Sequence, residues 1–211
     1  MGTMLLALFP LQLIIFPGEE IPLHIFESRY RQLIAECRDE GIAFGMPLAM
    51  DGKISQYGTE VELVKIIRTY ETGEMDIVVR GKRIFKIDDV VTEVPDKLYS
   101  GAMISWLDID ATFDEAVQEN VLRKFKHALK LANKEFPIPS PIPANISYII
   151  TPKLGLTPAQ KLEILSANPE SKRQEILLRH LDRVIEALKK KTDSIKLGQS
   201  GAGSAQYFSQ N

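Results

Sequence analysis

The sequence predicts an α+β fold: a small β-barrel with one inserted helix over residues 4–110, a helical bundle over 111–195, and a disordered tail over 196–211. Three observations carry this. As far as about Ile109 the apolar residues come in runs of strand length, cut by Pro, Gly and Asp-Gly turn signals. One stretch within that half repeats at helical spacing instead, and beyond Thr112 the apolar stripes follow the same spacing. The last residues are rich in Gly, Ser and Gln, a composition that buries too little to stay ordered.

Residues 5–9 and 12–16 read as the first two strands, ended by Pro10 and by Pro17-Gly18, because proline brings no N–H to a ladder. Residues 20–25 form a third extended piece. Phe26, Tyr30, Leu33, Ile34 and Cys37 then share one helix face, with Arg31, Glu36 and Arg38 on the other and Gly41 as the left-handed stop. Residues 44–49 follow as a strand, Asp51-Gly52 as a hairpin turn, and residues 59–67 as a strand alternating with period two. After a turn at 71–74, residues 76–80 and 83–91 read as two strands around Gly81, and residues 99–104 complete the series. A set of short strands favours a closed or nearly closed barrel, since closure removes unpaired edges.

In the second half, Thr112 and Glu115 have the spacing of a capping box, and Val117, Val121, Phe125, Ala128 and Ala132 stripe a helix ending near Glu135. Residues 136–143 alternate with prolines and are predicted to be an extended connector. A short helix over 145–150 stops at Pro152 and Gly155, and Thr157-Pro158 with Gln160 starts another. Asn168-Pro169 opens a long helix striped by Ile176, Leu177, Leu181, Ile185 and Leu188. Lys189, Lys190 and Lys191 are expected in its last turn, where cations suit the helix dipole.

Charge and chemistry narrow the function classes. Residues 1–110 hold 11 Lys and Arg against 18 Asp and Glu, net −7, and residues 111–211 are net +5. An overall charge of −2 argues against an RNA binder, which generally shows a basic excess. The start, Met1-Gly2-Thr3-Met4, has neither the basic region nor the cleavage site of a secretory signal, and no apolar run is long enough to span a bilayer. With one cysteine, Cys37, the expected setting is the cytoplasm, and Cys37 reads as a buried structural thiol. No P-loop or dinucleotide-binding glycine pattern is present, and His24, His127 and His180 are scattered, so no cofactor, no metal and no catalytic residue is expected. Arg80, Lys82, Arg83 and Lys86 around Gly81 read as a solvated turn rather than a phosphate site.

One ordered stretch carries more. Phe9-Pro10-Leu11, Phe16-Pro17-Gly18, Pro22-Leu23-His24-Ile25-Phe26-Glu27 and Arg29-Tyr30 follow one another as in the opening of the Lon-protease N-terminal domain, which this chain resembles. Gly58-Thr59-Glu60-Val61 and Gly81-Lys82-Arg83-Ile84-Phe85 are similar to a later part of that family. The resemblance spans about residues 4–190. It implies a PUA-like barrel followed by a helical bundle, and a non-catalytic module that binds unfolded or degron-bearing polypeptides. The ATPase and Ser–Lys peptidase of full Lon enzymes have no counterpart in this sequence, so neither activity is expected. Phe16, Pro17, His24, Phe26, Glu27, Arg29, Tyr30 and Arg83 are the candidate peptide-binding or groove-lining residues. Partners implied by the resemblance are unfolded or partly folded polypeptide, a protease or chaperone component, and further copies of the chain. The alternatives are an adaptor that docks on another protein and a PUA-like RNA-binding module.

Overall fold

Two strands of 17 residues each, β4 (Lys53–Thr69) and β5 (Met75–Val91), form the axis of the first unit. Strands this long cannot stay flat. Register shifts between Thr59 and Val61, Leu63 and Lys65, and Ile66 and Arg68 add local twist, so the pair coils around its own core. The other strands are β1 (Met4–Ala7), β2 (Glu20–Ile25), β3 (Phe44–Met50) and β6 (Gly101–Trp106). The sheet is antiparallel in the order β1-β6-β5-β4-β3, and β2 pairs with the first part of β5. This computed structural model describes residues 4–202, and the side chains of all of these except 192, 193 and 195–202.

The regular ladder is open between β1 and β3. The chain just after β1 crosses that gap through isolated parallel bridges, Leu8 to Gly45 and Leu11 to Leu48. Helix α1 (Ser28–Glu40) turns Tyr30, Leu33, Ile34 and Cys37 inward, as its spacing predicts, and Gly41 ends it with φ +70°. These side chains join Phe9, Ile15, Phe44, Met46, Val61, Ile77 and Val79 in one core, while Leu6, Leu8, Phe85, Ile87 and Ile104 form a second. Burial holds the Cys37 thiol far from ionisation, its pKa pushed up to about 12.

Residues Ser147–Asn168 group with this β-rich unit, and the second unit is Ala111–Ile146 with the chain from Pro169 onward. In the first unit, α3 (Ile146–Ile150) leads into a 3-10 turn (Thr151–Lys153) and α4 (Pro158–Ser166). Tyr148 lies 5.7 Å from the Phe16 ring, centroid to centroid, and its hydroxyl donates to the Leu165 carbonyl at 3.3 Å. In the second unit, α2 (Glu115–Leu131) packs on α5 (Glu170–Ala202). Within it Arg173 and Glu170, both fully buried, form a 2.7 Å ion pair, and Gln174 donates to Glu170 and to Gln118.

Several elements differ from the sequence reading. Residues 12–16 are not a strand: the Ile15 carbonyl accepts from the Thr59 hydroxyl and the Phe16 N–H donates to the Glu19 carboxylate, so side chains satisfy this backbone in place of a ladder. Residues 76–80 and 83–91 are one strand, because Gly81 allows the 16–19 segment to approach rather than breaking β5. A Cβ at Gly81 would stand 2.3 Å from the Phe16 carbonyl oxygen. Asp114, not Thr112, caps α2 by accepting from the Val117 N–H, and α2 ends at Leu131 ahead of Asn133, whose φ is +50°. Helix α5 continues to Ala202, into the stretch read as tail, and Lys189–Lys191 are therefore mid-helix. Propagating a nucleated helix costs little per residue. The remainder of that tail, 203–211, lies outside the described residues.

Candidate functional site

The alternation of β2 sends Ile21, Leu23 and Ile25 inward and leaves Glu20, Pro22 and His24 facing solvent. Antiparallel pairing with β5 sets His24 opposite Asp76. Their side chains meet at 2.8 Å from Nδ1, and Glu74 lies 3.6 Å from Nε2. The Tyr70 hydroxyl donates to the second Asp76 oxygen at 2.7 Å. That bond first, and the His24 bond second, hold the Asp76 carboxyl below the usual carboxylate range.

Phe26 follows directly and is 61% exposed, a high value for an aromatic ring. Its ring lies 6.2 Å from that of His24, centroid to centroid, and the Tyr70 ring approaches His24 edge-on at 5.9 Å. Arg29 pairs with Glu27 at 2.7 Å and lies over the Tyr30 ring, and Arg68 lies over Tyr70. Glu27 and Arg31 have the i,i+4 spacing of a helical ion pair but do not form one. Glu27 takes Arg29, while Arg31 reaches the Thr72 carbonyl at 2.6 Å and thereby ties α1 to the β4–β5 turn. The groups that meet His24 are two carboxylates and two rings.

The eight candidates therefore separate. His24, Phe26, Glu27 and Arg29 come together at the surface. Phe16 and Tyr30 are core residues, 0% and 5% exposed, with Tyr30 stacked on Phe9 at 3.9 Å. Pro17 is half-buried in the turn closed by the Glu19 N–H donating to the Phe16 carbonyl. Arg83 stands further along β5, donating twice to the buried Glu60 carboxylate at 2.8 and 3.0 Å, with its guanidinium 3.6 Å above the Trp106 ring. The basic residues around Gly81 are thus strand residues and not a solvated turn, with acidic partners for Arg83, for Arg80 at Glu20 and Glu62, and for Lys82 at Glu62.

A groove of about 410 Å³ opens elsewhere on the same unit, lined by Leu5, Ala7, Ile42, Ala43, Val94 and Tyr99 among others. At its rim Lys97 pairs with Glu36 at 2.8 Å, and the Tyr99 hydroxyl donates to the same Glu36 oxygen. Burial alone raises the Glu36 pKa, but bonds from Lys97, Tyr99 and Gln32 outweigh it and leave the carboxyl below its ordinary value. Neither this groove nor the pairing of His24 with Asp76 is legible in the sequence, because both depend on contacts between residues dozens of positions apart.

Among the described residues no group of three or more His, Cys, Asp or Glu could hold a metal ion, and no helix is long and apolar enough to cross a membrane. A family model, the ATP-dependent protease La (LON) substrate-binding domain, matches residues 6–183. The fold is similar to a Lon N-terminal domain protein from Xanthomonas campestris, with TM-score 0.63 and 26% identity over 83% of this chain and 98% of that one. It is also similar in fold to the N-terminal domain of the Mycobacterium avium complex Lon protease, with TM-score 0.63 and 14% identity over 85% and 98% of the two chains.

Proposed function

The chain belongs to the family of the ATP-dependent protease La (LON) substrate-binding domain, and on that premise we propose that it recognises unfolded or degron-bearing polypeptides without acting on them chemically. The family match across both units is the observation that carries this reading. The open sheet with its bridging segment fits a PUA-like barrel, and α2 with α5 fits the helical bundle that follows it. A cytoplasmic setting accords with a buried, unreactive single thiol.

Polypeptide contact is assigned to the exposed cluster of Phe26, His24, Glu27 and Arg29. An exposed aromatic ring beside charges of both signs accepts apolar segments with varied flanks, as a receptor for many clients requires. Affinity for any one client is correspondingly modest. Titration of the chain with unfolded, casein-like polypeptide, followed by fluorescence anisotropy, is expected to saturate in the micromolar range. Phe26→Ser should weaken it about tenfold, the usual effect of removing an aromatic anchor. No saturable binding by the parent chain would refute the reading, and binding unaltered by Phe26→Ser would move the contact surface elsewhere.

A further inference from the structure

The groove lined by Leu5, Ala7, Ile42 and Ala43 lies where the sheet comes apart. In the bridge of Leu8 to Gly45, the Phe9 N–H donates to the Gly45 carbonyl at 2.8 Å. The next turn of the ladder has Leu11 donating to the Pro47 carbonyl and Ala49 donating to the Leu11 carbonyl. Leu8 faces the other way, its N–H donating to the Ser100 carbonyl. Odd-numbered residues of this strand therefore direct their backbone groups toward β3. Continued toward the N-terminus, the same parallel ladder requires the Ala7 N–H to meet the Ala43 carbonyl, and the Ala43 N–H to meet the Leu5 carbonyl. Among the described residues neither bond is made.

The opening is thus a half-finished ladder. It presents the Leu5 backbone and the Ala7 N–H along an apolar wall, an edge that templates another strand. The charge around it has a sign. Of the two charged residues that line it, Lys97 pairs with Glu36 and also feels Glu40 and Asp96, and Glu60 pairs with Arg83, four carboxylates against two cations.

We propose that this opening receives one extended, apolar polypeptide segment flanked by lysine or arginine, which adds as a strand to the free edge of β1. The segment is client polypeptide, so the proposal rests on the polypeptide-recognition reading above and adds to the Phe26 cluster a second contact surface with its own binding mode. Main-chain bonds tolerate many sequences, and the acidic rim selects for basic flanks.

The test uses the full chain and a fluorescein-labelled synthetic strand of alternating Val and Thr with terminal lysines. Saturable binding is expected, weakened at least about tenfold when alternate peptide amides are N-methylated, and weakened when glutamates replace the lysines. Leu5→Pro removes an N–H that serves no bond to β6 and should weaken binding similarly. Val94→Trp, at the rim, fills the opening and gives a second variant should Leu5→Pro unfold, with circular dichroism reporting the fold of each. Equal affinity for methylated and unmethylated peptides overturns the proposal. So does casein-like polypeptide that binds the parent, Leu5→Pro and Val94→Trp alike, which leaves polypeptide recognition standing at another surface. If the parent binds neither probe, the broader reading fails first. Sedimentation that shows both variants abolishing self-association, with no peptide bound, assigns the edge to a second copy and also overturns it.

Discussion

Gly81 sits where two backbones touch. Its N–H donates to the Glu19 carbonyl at 3.0 Å and its carbonyl accepts from the Gly18 N–H at 2.8 Å. A Cβ there would meet the Phe16 carbonyl oxygen at 2.3 Å and its carbon at 2.9 Å, and neither atom is the free end of a side chain. Gly81→Ala must therefore separate β5 from the 16–19 turn, and should cost about 2–3 kcal/mol. A fall in the urea midpoint at unchanged slope would show it; an unaltered midpoint would mean the turn yields freely. At this scale the sequence conveyed which residues are apolar and in phase, and little about partners. Cys37 was legible as buried from its place on the α1 stripe. The partners of His24 and Arg83, by contrast, are set by register: Asp76 lies 52 positions from His24, and Glu60 lies 23 from Arg83. Phe16 and Tyr30 belong to the motif that carries the family resemblance, yet they serve the core, so motif membership did not separate scaffold from surface.

Among the elements, local chemistry announced the start of α4 and misplaced the cap of α2 by two residues, while elements determined by neighbours were misread outright. Helix α4 is the clearest of the first kind. Thr157 accepts from the Gln160 N–H, the Gln160 side chain accepts from the Thr157 N–H, and Pro158 occupies the first turn, so every starting signal lies within four residues. Thr157→Ala should cost about 1 kcal/mol, the usual worth of an N-cap side chain. Thr157→Ser should recover most of it, and a Ser variant no better than Ala would show that the hydroxyl bond is not what matters. The segment 12–16 is of the second kind. Its apolar run fits a buried strand by length, but Thr59 and Glu19 satisfy its backbone from outside any ladder. The division of β5 at Gly81 failed for the same reason: glycine marks either a break or a close approach, and only the neighbouring segment decides which.

Over the whole chain, the change from strand-length runs to helical stripes was visible in composition, but the return of Ser147–Asn168 to the β-rich unit was not, because it depends on contacts such as Phe16 with Tyr148. That return alters the charge account. Adding Lys153, Lys161 and Glu163 to residues 1–110 takes the net −7 to −6 and leaves the other unit at +4. The exposed cluster around Phe26 and the groove beside β1 both belong to the acidic unit, whose field extends about 10 Å at 0.1 M salt. An apolar client with basic flanks should therefore associate faster at low ionic strength, and its rate should fall several-fold between about 0.05 and about 0.5 M salt. Its dissociation rate should change less, since the contacts that hold it are apolar and main-chain. A client of identical apolar sequence with acidic flanks should show the reverse dependence of association rate on salt. Stopped-flow measurement of both clients discriminates the two units: if the acidic client is the one accelerated at low salt, recognition occurs on the cationic residues of the second unit, and the assignment of contact to the Phe26 cluster and the β1 edge is wrong.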